Sequence, residues 1–391
     1  MRIGFFGGTF DPFHLGHAKL ILAALNKEFF DKIYLVPSAI PPKKNTIDVS
    51  MPSYRMAMVE AWIKAKGLQD KLVLSDLEIN RRDKSYTIDT IREIKLLEGE
   101  ESSIYLICGA DILEEIHTWH QADQLLGEIS LYVSLRPGYS KENRDKYHRQ
   151  IEGRYKTEIL YFDAPQMDIS SSQIRELLSV EGRDADLSSL VPSSVINFIR
   201  TNALYDNSFD LTEDLSLDQY KQLLDYEYHL RPNLKTKRLI HSLNTMRVAF
   251  RLAKINGFDV FKAALTGLVH DSTKNMRDYK FYPDLPIEIH HAYSGSEYAK
   301  DIFNIVDEDM LNAIKYHTTS RKGASLLEKI VFVADKIEPS RGYPRAEELR
   351  EISYNNLDKG YHECLADIIK VLKSKGKEVN KDTLEAYEAS K

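Results

Sequence analysis

Cysteine is nearly absent from this chain: 391 residues hold two, Cys108 and Cys364. Two cysteines so far apart supply neither a disulfide framework nor the C-x-x-C ligands of a zinc site. Long apolar runs are missing as well. None approaches the ~18 residues of a membrane span, so no membrane partner is expected. An excess of basic charge is also lacking. The formal net charge is −6, which argues against a general nucleic-acid binder, although local basic clusters are compatible with it. There is no internal repeat and no low-complexity tract. Asp11 and two histidines within the first 17 residues do not suit a signal peptide. The expected compartment is the cytoplasm.

What is present describes an ordinary globular protein, 43% hydrophobic and 29% charged, at a length that suits two domains. In residues 1–205 strand and helix patterns alternate. Strands are expected at 32–37, 72–74, 104–108, 129–135 and 159–162, with helices at 54–66, 87–97 and from Asp111. That alternation predicts an α/β doubly wound parallel sheet with ligands beyond the carboxyl ends of its strands. The acidic stretch Asp206 to Asp218 reads as a linker. From there helical periods dominate (217–228, 239–255, 263–269, 310–314 and 326–337), so residues 206–391 are expected to form an all-α domain.

The most informative stretch is Gly4-Phe5-Phe6-Gly7-Gly8-Thr9-Phe10-Asp11-Pro12-Phe13-His14-Leu15-Gly16-His17. Ile3, Phe5 and Phe6 predict a strand and Gly7-Gly8-Thr9 a tight turn. The apolar period Leu20, Ile21, Ala24, Leu25 predicts a helix beginning near His14. Such a turn gathers backbone N–H groups at a helix N-terminus, which suits an anion. His14 and His17 share a helix face and can donate to phosphate oxygens. The string matches neither the Walker loop nor the G-x-G-x-x-G of dinucleotide folds. A bare H-x-x-H is more often a helix-start pair; the Gly-Gly-Thr-Phe-Asp-Pro upstream reverses that preference.

Other stretches of this half suit the same chemistry. Prolines stiffen Val36-Pro37-Ser38-Ala39-Ile40-Pro41-Pro42-Lys43-Lys44, and a lysine there can reach a triphosphate, a solvated loop being the plainer reading. Gly109 allows a ligand close to a strand end, and Asp111 either caps a helix or holds a ribose or amide. Trp119 stacks on a flat ring or packs in the core. Ile169-Ser170-Ser171-Ser172-Gln173-Ile174-Arg175 brings hydroxyls and a guanidinium to a helix start, as a second phosphate cradle or an ordinary serine cap.

Together with Ser85-Tyr86-Thr87-Ile88-Asp89-Thr90, Arg136-Pro137-Gly138-Tyr139 and Leu190-Val191-Pro192, these segments occur in an order that resembles the nicotinate-nucleotide adenylyltransferases of the H-x-G-H superfamily. Ser172 stands where that family usually has threonine, and Lys43 where it often has histidine. The resemblance covers residues 1–205 and implies a Rossmann-like nucleotidyltransferase fold. It further implies adenylyl transfer from ATP to nicotinate mononucleotide, giving deamido-NAD and pyrophosphate. His14, His17, Lys44 and Arg175 would neutralise the phosphate chain with Mg²⁺. Gly7, Gly8, Thr9, Phe10, Ser85, Tyr86, Thr87, Gly109, Asp111, Arg136, Ile169, Ser170, Ser171 and Ser172 would line the substrates, and Trp119 would stack on the pyridine ring. Nicotinamide mononucleotide and pantetheine phosphate are alternative acceptors. Trp119 and Gly109-Ala110-Asp111 disfavour pantetheine and separate nicotinate from nicotinamide only weakly.

In the second half the chemistry lies with His241, His270-Asp271, His290-His291, His317 and Asp335. His241 shares a helical stripe with Val248 and Leu252, and Asp335 shares one with Leu327 and Val331. A carboxylate on an apolar face needs a cationic partner. Four histidines and two aspartates from separate helices suit one or two metal ions, and the mixture of imidazole and carboxylate suits iron, manganese or zinc. A lone core histidine is usually only hydrogen-bonded; an adjacent His-Asp pair ending an apolar helix says more.

This set resembles the HD-domain metal-dependent phosphohydrolases, and more narrowly the bacterial symmetrical diadenosine tetraphosphate hydrolases. The matching pieces are Lys237 to His241, Gly267 to Lys274, His291 to Gly295, Tyr316 to Thr319 and Phe332 to Arg341. The resemblance implies two metals, commonly iron, bridged by an aspartate and a hydroxide. His241, His270, Asp271, His291, His317 and Asp335 would hold them, Asp271 would be catalytic, and Lys274 and Arg341 would hold polyphosphate. His290 is extra, and which of His290 and His291 is the ligand stays open. The expected whole is a bifunctional enzyme acting on ATP, nicotinate mononucleotide and diadenosine tetraphosphate. A homo-oligomer is compatible with it. The rival reading keeps the adenylyltransferase and makes the helical half a non-catalytic, metal-bound nucleotide sensor. Retention of all six ligands favours the enzyme.

Overall fold

A computed structural model describes residues 1–39, 49–81, 85–135, 141–165, 167–276, 279–280 and 282–391. The chain divides into two compact units, residues 1–200 and 201–391. The helical unit thus takes in the stretch up to Tyr205 that composition assigned to the first half. The reason is local: Arg247 donates to the carbonyls of Asn202 (2.9 Å) and Ala203 (2.6 Å) and lies over the ring of Phe209.

The first unit is built on strands β1 (Arg2–Gly8), β2 (Lys32–Pro37), β3 (Leu72–Leu74), β4 (Ser103–Gly109), β5 (Ser130–Leu135) and β6 (Ile159–Asp163). They form a sheet in the order β3-β2-β1-β4-β5-β6 with every pair parallel. Successive residues of β1, β2 and β4 are buried, as a sheet covered on both faces requires. Helices α1 (Leu15–Leu25), α2 (Pro52–Lys66), α3 (Thr87–Glu98), α4 (Lys141–Tyr155) and α5 (Ser171–Glu181) are among those that cover it. α3 places Ile88, Ile91 and Ile94, spaced three apart, in one cluster with Phe5, Ile104, Leu106 and Leu131. The strand order reverses between β1 and β4. In such sheets the ligand crevice lies beyond the carboxyl ends of those two strands.

Two differences from the sequence expectation have physical causes. The helix expected from Asp111 lasts one turn, Ile112–Glu115, because Trp119 is extended and Gln121 left-handed (φ 51°) before a new helix, Ala122–Glu128. α4 was not legible at all: Lys-Glu-Asn-Arg-Asp-Lys-Tyr-His-Arg-Gln has almost no apolar period.

In the second unit the described elements are helical: α6 (Leu217–Leu230), α7 (Thr236–Ile255), α8 (Val260–Val269), α9 (His290–Phe303), α10 (Glu308–Tyr316), α11 (Leu326–Ile337), α12 (Ala346–Asn355), α13 (Leu357–Ser374) and α14 (Lys381–Ala389). Ser216 with Gln219 and Ser325 with Glu328 form capping boxes that start α6 and α11. α7 and α8 pack closely at Gly267, where a Cβ would meet the Met246 Cα and the Thr245 carbonyl at 3.1 Å. That approach brings His241 and His270 towards each other. No helix among the described residues is long and apolar enough to cross a membrane.

Candidate active sites

At the carboxyl end of β1 the chain turns through Thr9–Phe13 into α1. His14 is the N-cap of α1: its Nδ1 accepts from the N–H of Gly16 (3.1 Å) and of His17 (3.4 Å). His17 Nδ1 in turn accepts from the N–H of His14 at 3.2 Å. This is a capping box made of two imidazoles. An imidazole that accepts at Nδ1 carries its proton on Nε2, so both rings offer an outward N–H donor at a helix N-terminus. The rings stack with centroids 3.6 Å apart, which suits two neutral groups. Burial pushes His14 down to about 4 and His17 well below the ordinary histidine value, His14 adding to the latter. A Cβ at Gly16 would stand 2.9 Å from the His14 ring, so a larger residue there would push that ring out of its cap position.

The helix start at α5 is joined to the same turn. Ser171 Oγ donates to the Pro12 carbonyl (3.0 Å) and Arg175 Nη1 to the Asp11 carbonyl (2.6 Å). Ser170 caps α5 in a capping box with Gln173, so its hydroxyl does the work of an ordinary serine cap. Ser172 is exposed and lies 3.4 Å from Arg175 Nη2, and Ile169 directly precedes the cap. The structure therefore brings His14, His17, Ser170, Ser171, Ser172 and Arg175 around one turn.

Gly7, Gly8 and Thr9 form the end of β1 and the turn, but the Phe10 ring is buried edge-on against His17 and serves packing. On the neighbouring strand end, Asp111 occupies the N-cap position after Gly109 without a side-chain cap hydrogen bond. Trp119 is half-buried against the core of the sheet. Ser85 is buried and donates to the Glu78 carbonyl, Thr87 opens α3, and Tyr86 stacks on His120 at 3.9 Å. Lys44 and Arg136 lie outside the described residues.

Arg55 was overlooked. Its fully buried guanidinium donates to the carbonyls of Thr9 (2.9 Å), Ser38 (2.6 Å), Ala39 (3.1 Å) and Ser50 (3.0 Å). One side chain of α2 thereby ties together the chain that leaves β1 and the chain that leaves β2. A lone arginine within Tyr54-Arg55-Met56-Ala57-Met58-Val59 was the available signal.

In the second unit α7 supplies His241, the end of α8 His270 and Asp271, α9 His291, the end of α10 His317, and α11 Asp335. Asp271 is central. Its Oδ1 lies 3.4 Å from both His291 Nε2 and His317 Nε2, and its Oδ2 3.7 Å from both His241 Nε2 and His270 Nε2. Asp335 Oδ1 is 3.0 Å from His241 Nε2. His290 instead places Nε2 2.7 Å from the Leu285 carbonyl, so it is His291 that joins the cluster.

Proton accounting shows what the cluster suits. His270 Nδ1 lies 2.7 Å from the Gly267 carbonyl and His317 Nδ1 2.7 Å from the Ile314 carbonyl. His241 Nδ1 faces Glu338 Oε1 at 3.1 Å. With protons on Nδ1, the Nε2 lone pairs point at carboxylate oxygens, which is repulsive unless a cation lies between. His270 Nε2 and Asp271 Oδ1 are buried with no hydrogen-bond partner. Among the described residues the ligand atoms fall into two groups, each within 4.8 Å: His241, His270 and Asp271, and Asp271, His291 and His317. These residues fit metal ions, and the nitrogen–oxygen donor set suits a divalent transition metal.

The protonation states of His270, His291, Asp271 and Asp335 agree with that role. Burial pushes His270 down to about 3 and His291 to about 2. Burial alone would raise Asp271, but His270, His317 and His291 hold it well below the usual carboxylate range. Lys336 and Arg341 do the same for Asp335. His241 is the exception: Asp335 and Glu338 push it up despite its burial, which favours a second proton on Nε2 that a metal ion would have to displace. Lys274 Nζ sits 3.0 Å from His291 Nε2, its pKa lowered by burial, and Arg341 Nη2 sits 2.7 Å from Asp335 Oδ1. Arg238, Asn244 and Glu338 were missed as site residues: Arg238 Nη1 is 2.6 Å from Asp271 Oδ2, and Asn244 donates to Glu338 at 3.0 Å. Each lies three residues from His241 or Asp335 on the same helix face or its continuation, which was the legible sign.

Residues 5–177 match the cytidylyltransferase-like family and residues 238–340 the HD domain. A Clostridium tetani protein named "Probable nicotinate-nucleotide adenylyltransferase" is 36% identical over 200 residues, covering 51% of this chain and 96% of that protein. The chain belongs to the nicotinate-nucleotide adenylyltransferase family, fused to an HD domain. A Mycoplasma genitalium relative is 27% identical over 382 residues, covering 92% of this chain and 95% of that protein. Its name is "Probable nicotinate-nucleotide adenylyltransferase/Ap4A hydrolase". Among solved structures, a Clostridium acetobutylicum "predicted HD superfamily hydrolase involved in NAD metabolism" is 35% identical, covering 45% of this chain and 97% of that one, with a TM-score of 0.40. Plasmodium falciparum nicotinic acid mononucleotide adenylyltransferase complexed with NaAD is 22% identical, covering 52% of this chain and 97% of that one, with a TM-score of 0.43.

Proposed function

We propose that this adenylyltransferase–HD fusion is a bifunctional enzyme. The first unit transfers the adenylyl group of ATP to nicotinate mononucleotide, and the second cleaves diadenosine tetraphosphate symmetrically into two ADP. The observation that carries the reading is the coexistence, in one chain matched almost end to end by a relative named for both activities, of an anion-directed histidine pair and a cation-directed histidine–aspartate cluster.

In the first reaction a 5′-phosphate oxygen of nicotinate mononucleotide attacks the α-phosphorus of ATP in line. The α–β bridging bond breaks and pyrophosphate leaves. The protein's task is positioning and charge stabilisation. His14 and His17 donate Nε2–H to phosphate oxygens, Arg175 and Lys44 add charge, and Mg²⁺ accompanies the triphosphate. Trp119 offers its indole to the pyridine ring. In the second reaction His241, His270, Asp271 and Asp335 would hold one metal ion and Asp271, His291 and His317 a second, iron being favoured over manganese or zinc. Bound metals supply a hydroxide nucleophile at neutral pH and charge for the phosphates. Lys274 and Arg341 hold the polyphosphate. Both substrates are nucleotides of the cell interior, which is the ground for placing the enzyme in the cytoplasm.

The test is product analysis with the full chain. ATP plus nicotinate mononucleotide should give deamido-NAD and pyrophosphate, and diadenosine tetraphosphate should give ADP alone. ATP and AMP from the second substrate, or no turnover by a metal-loaded chain, would overturn the hydrolase half.

A further inference from the structure

Past Asp335 the chain leaves α11 and turns through Tyr343 into α12 and α13. A groove of about 590 Å³ lies against these elements. Such a volume falls within the range of small-molecule sites, about 300–1,000 Å³. Lys336 and Arg341 line it, and both also hold the Asp335 carboxylate, at 2.5 and 2.7 Å. Two cations thus stand between the groove and the metal-ligand cluster, each reaching both. When Asp335 serves a metal ion, both side chains have charge to give to phosphate.

The rest of the lining has a different character. Leu349, Ile368, Val371, Leu372 and Tyr343 make it largely apolar. Cys364 adds to that surface, since burial pushes its thiol up to about 12 and keeps it protonated. Arg345 also lines the groove, but Glu348 (2.8 Å) and Glu363 (3.1 Å) already engage its charge. Asp367 also lines the wall, its Oδ1 3.6 Å from Arg345 Nη1. The Tyr343 hydroxyl donates to the Lys336 carbonyl at 2.8 Å, which fixes the loop beside the cationic mouth.

We propose that this groove seats one nucleoside of a nucleoside polyphosphate whose phosphate chain runs past Lys336 and Arg341 to the cluster around Asp271 and Asp335. The inference rests on the phosphohydrolase reading of that cluster and names its substrate class. The apolar wall takes the flat base, and the cations take the first phosphates. One nucleoside fills the groove, so a mononucleotide such as ADP binds there as well and competes with the substrate as product.

The experiment is photolabelling of the metal-loaded full chain with 8-azido-ADP, followed by mapping of labelled peptides. Label in residues 1–200 reports the first unit and is read separately. Within residues 201–391 the label should fall in 341–374 and vanish with excess ADP. Val371→Glu, at the exposed rim (39%), should reduce that label about tenfold or more while bound metal stays unchanged. Val371→Trp, which fills the groove rather than charging it, should act alike. Label elsewhere in the second unit, or full labelling of both variants, overturns the proposal. Label at 341–374 in a chain that leaves diadenosine tetraphosphate uncut supports the groove and removes the hydrolase reading. Cleavage of that substrate with an unchanged KM in both variants removes the groove alone.

Discussion

The two units use histidine in opposite senses, and the difference lies in one nitrogen. In the first unit Nδ1 of His14 and His17 accepts backbone N–H groups, so Nε2 carries the proton and faces outward as a donor. In the second, Nδ1 of His270 and His317 lies against the Gly267 and Ile314 carbonyls, so Nε2 turns a lone pair inward. A helix N-terminus supplies free N–H groups, and His14 stands there; a helix C-terminus supplies free carbonyls, and His270 and His317 stand there. For His14, His270 and His317 the helix end thus sets which ring nitrogen carries the proton, whereas His291, in the first turn of α9, and His241, within α7, join the metal-directed cluster through packing.

The comparison can be broken most severely at Asp271, which both ligand groups share. Asp271→Asn should abolish binding of both metal ions and lower hydrolysis by about a thousandfold or more, with adenylyl transfer intact. Metal analysis and the two assays on one preparation check this. His17→Ala is the counterpart in the first unit. Adenylyl transfer should fall by about 10²–10³ and hydrolysis should hold. Undiminished transfer would remove the donor role of the pair.

A smaller effect is expected at Glu338, whose carboxylate faces His241 Nδ1 and accepts from Asn244. Glu338→Gln leaves the ligands in place but loosens the orientation of His241, so metal affinity should drop by about 10–100-fold, measurable by competition with a chelator.

A pH effect on the first unit is read in stability rather than in binding or turnover. Burial holds His14 near 4 in the folded chain against 6.5 when unfolded. The unfolded chain therefore binds the proton first. The stability that this residue contributes is complete above pH 6.5 and is lost as pH falls from there through about 4, by about 3 kcal/mol. The chain's two tryptophans, Trp62 and Trp119, both lie in the first unit, so denaturant titration followed by tryptophan fluorescence reports that unit alone. His14→Gln should lessen the dependence between pH 7 and 4.5 and leave the part that His17 contributes.

Much of this was legible because it is local. The β1–α1 string carries strand, turn, cap and both histidines in consecutive residues, and the apolar period of Leu326–Ile337 matches α11 end for end. What escaped was set by tertiary contact. α9 buries Ala292, Ser294, Ser296 and Ala299, small residues that leave no large apolar stripe to read. His290 and His291 are neighbours with the same chemistry; only the packing of α9 turns one to Asp271 and the other to Leu285. Nothing local marks Arg55, whose four carbonyl partners come from three separate segments of the chain.

The tautomers themselves are the most direct test. Long-range nitrogen–proton correlation spectra of the metal-free chain, labelled with ¹⁵N-histidine and assigned by single His→Gln variants, show which ring nitrogen carries each proton. His14 and His17 should be protonated at Nε2, and His270 and His317 at Nδ1. The same tautomer in all four, or the reverse assignment in either unit, would contradict the account.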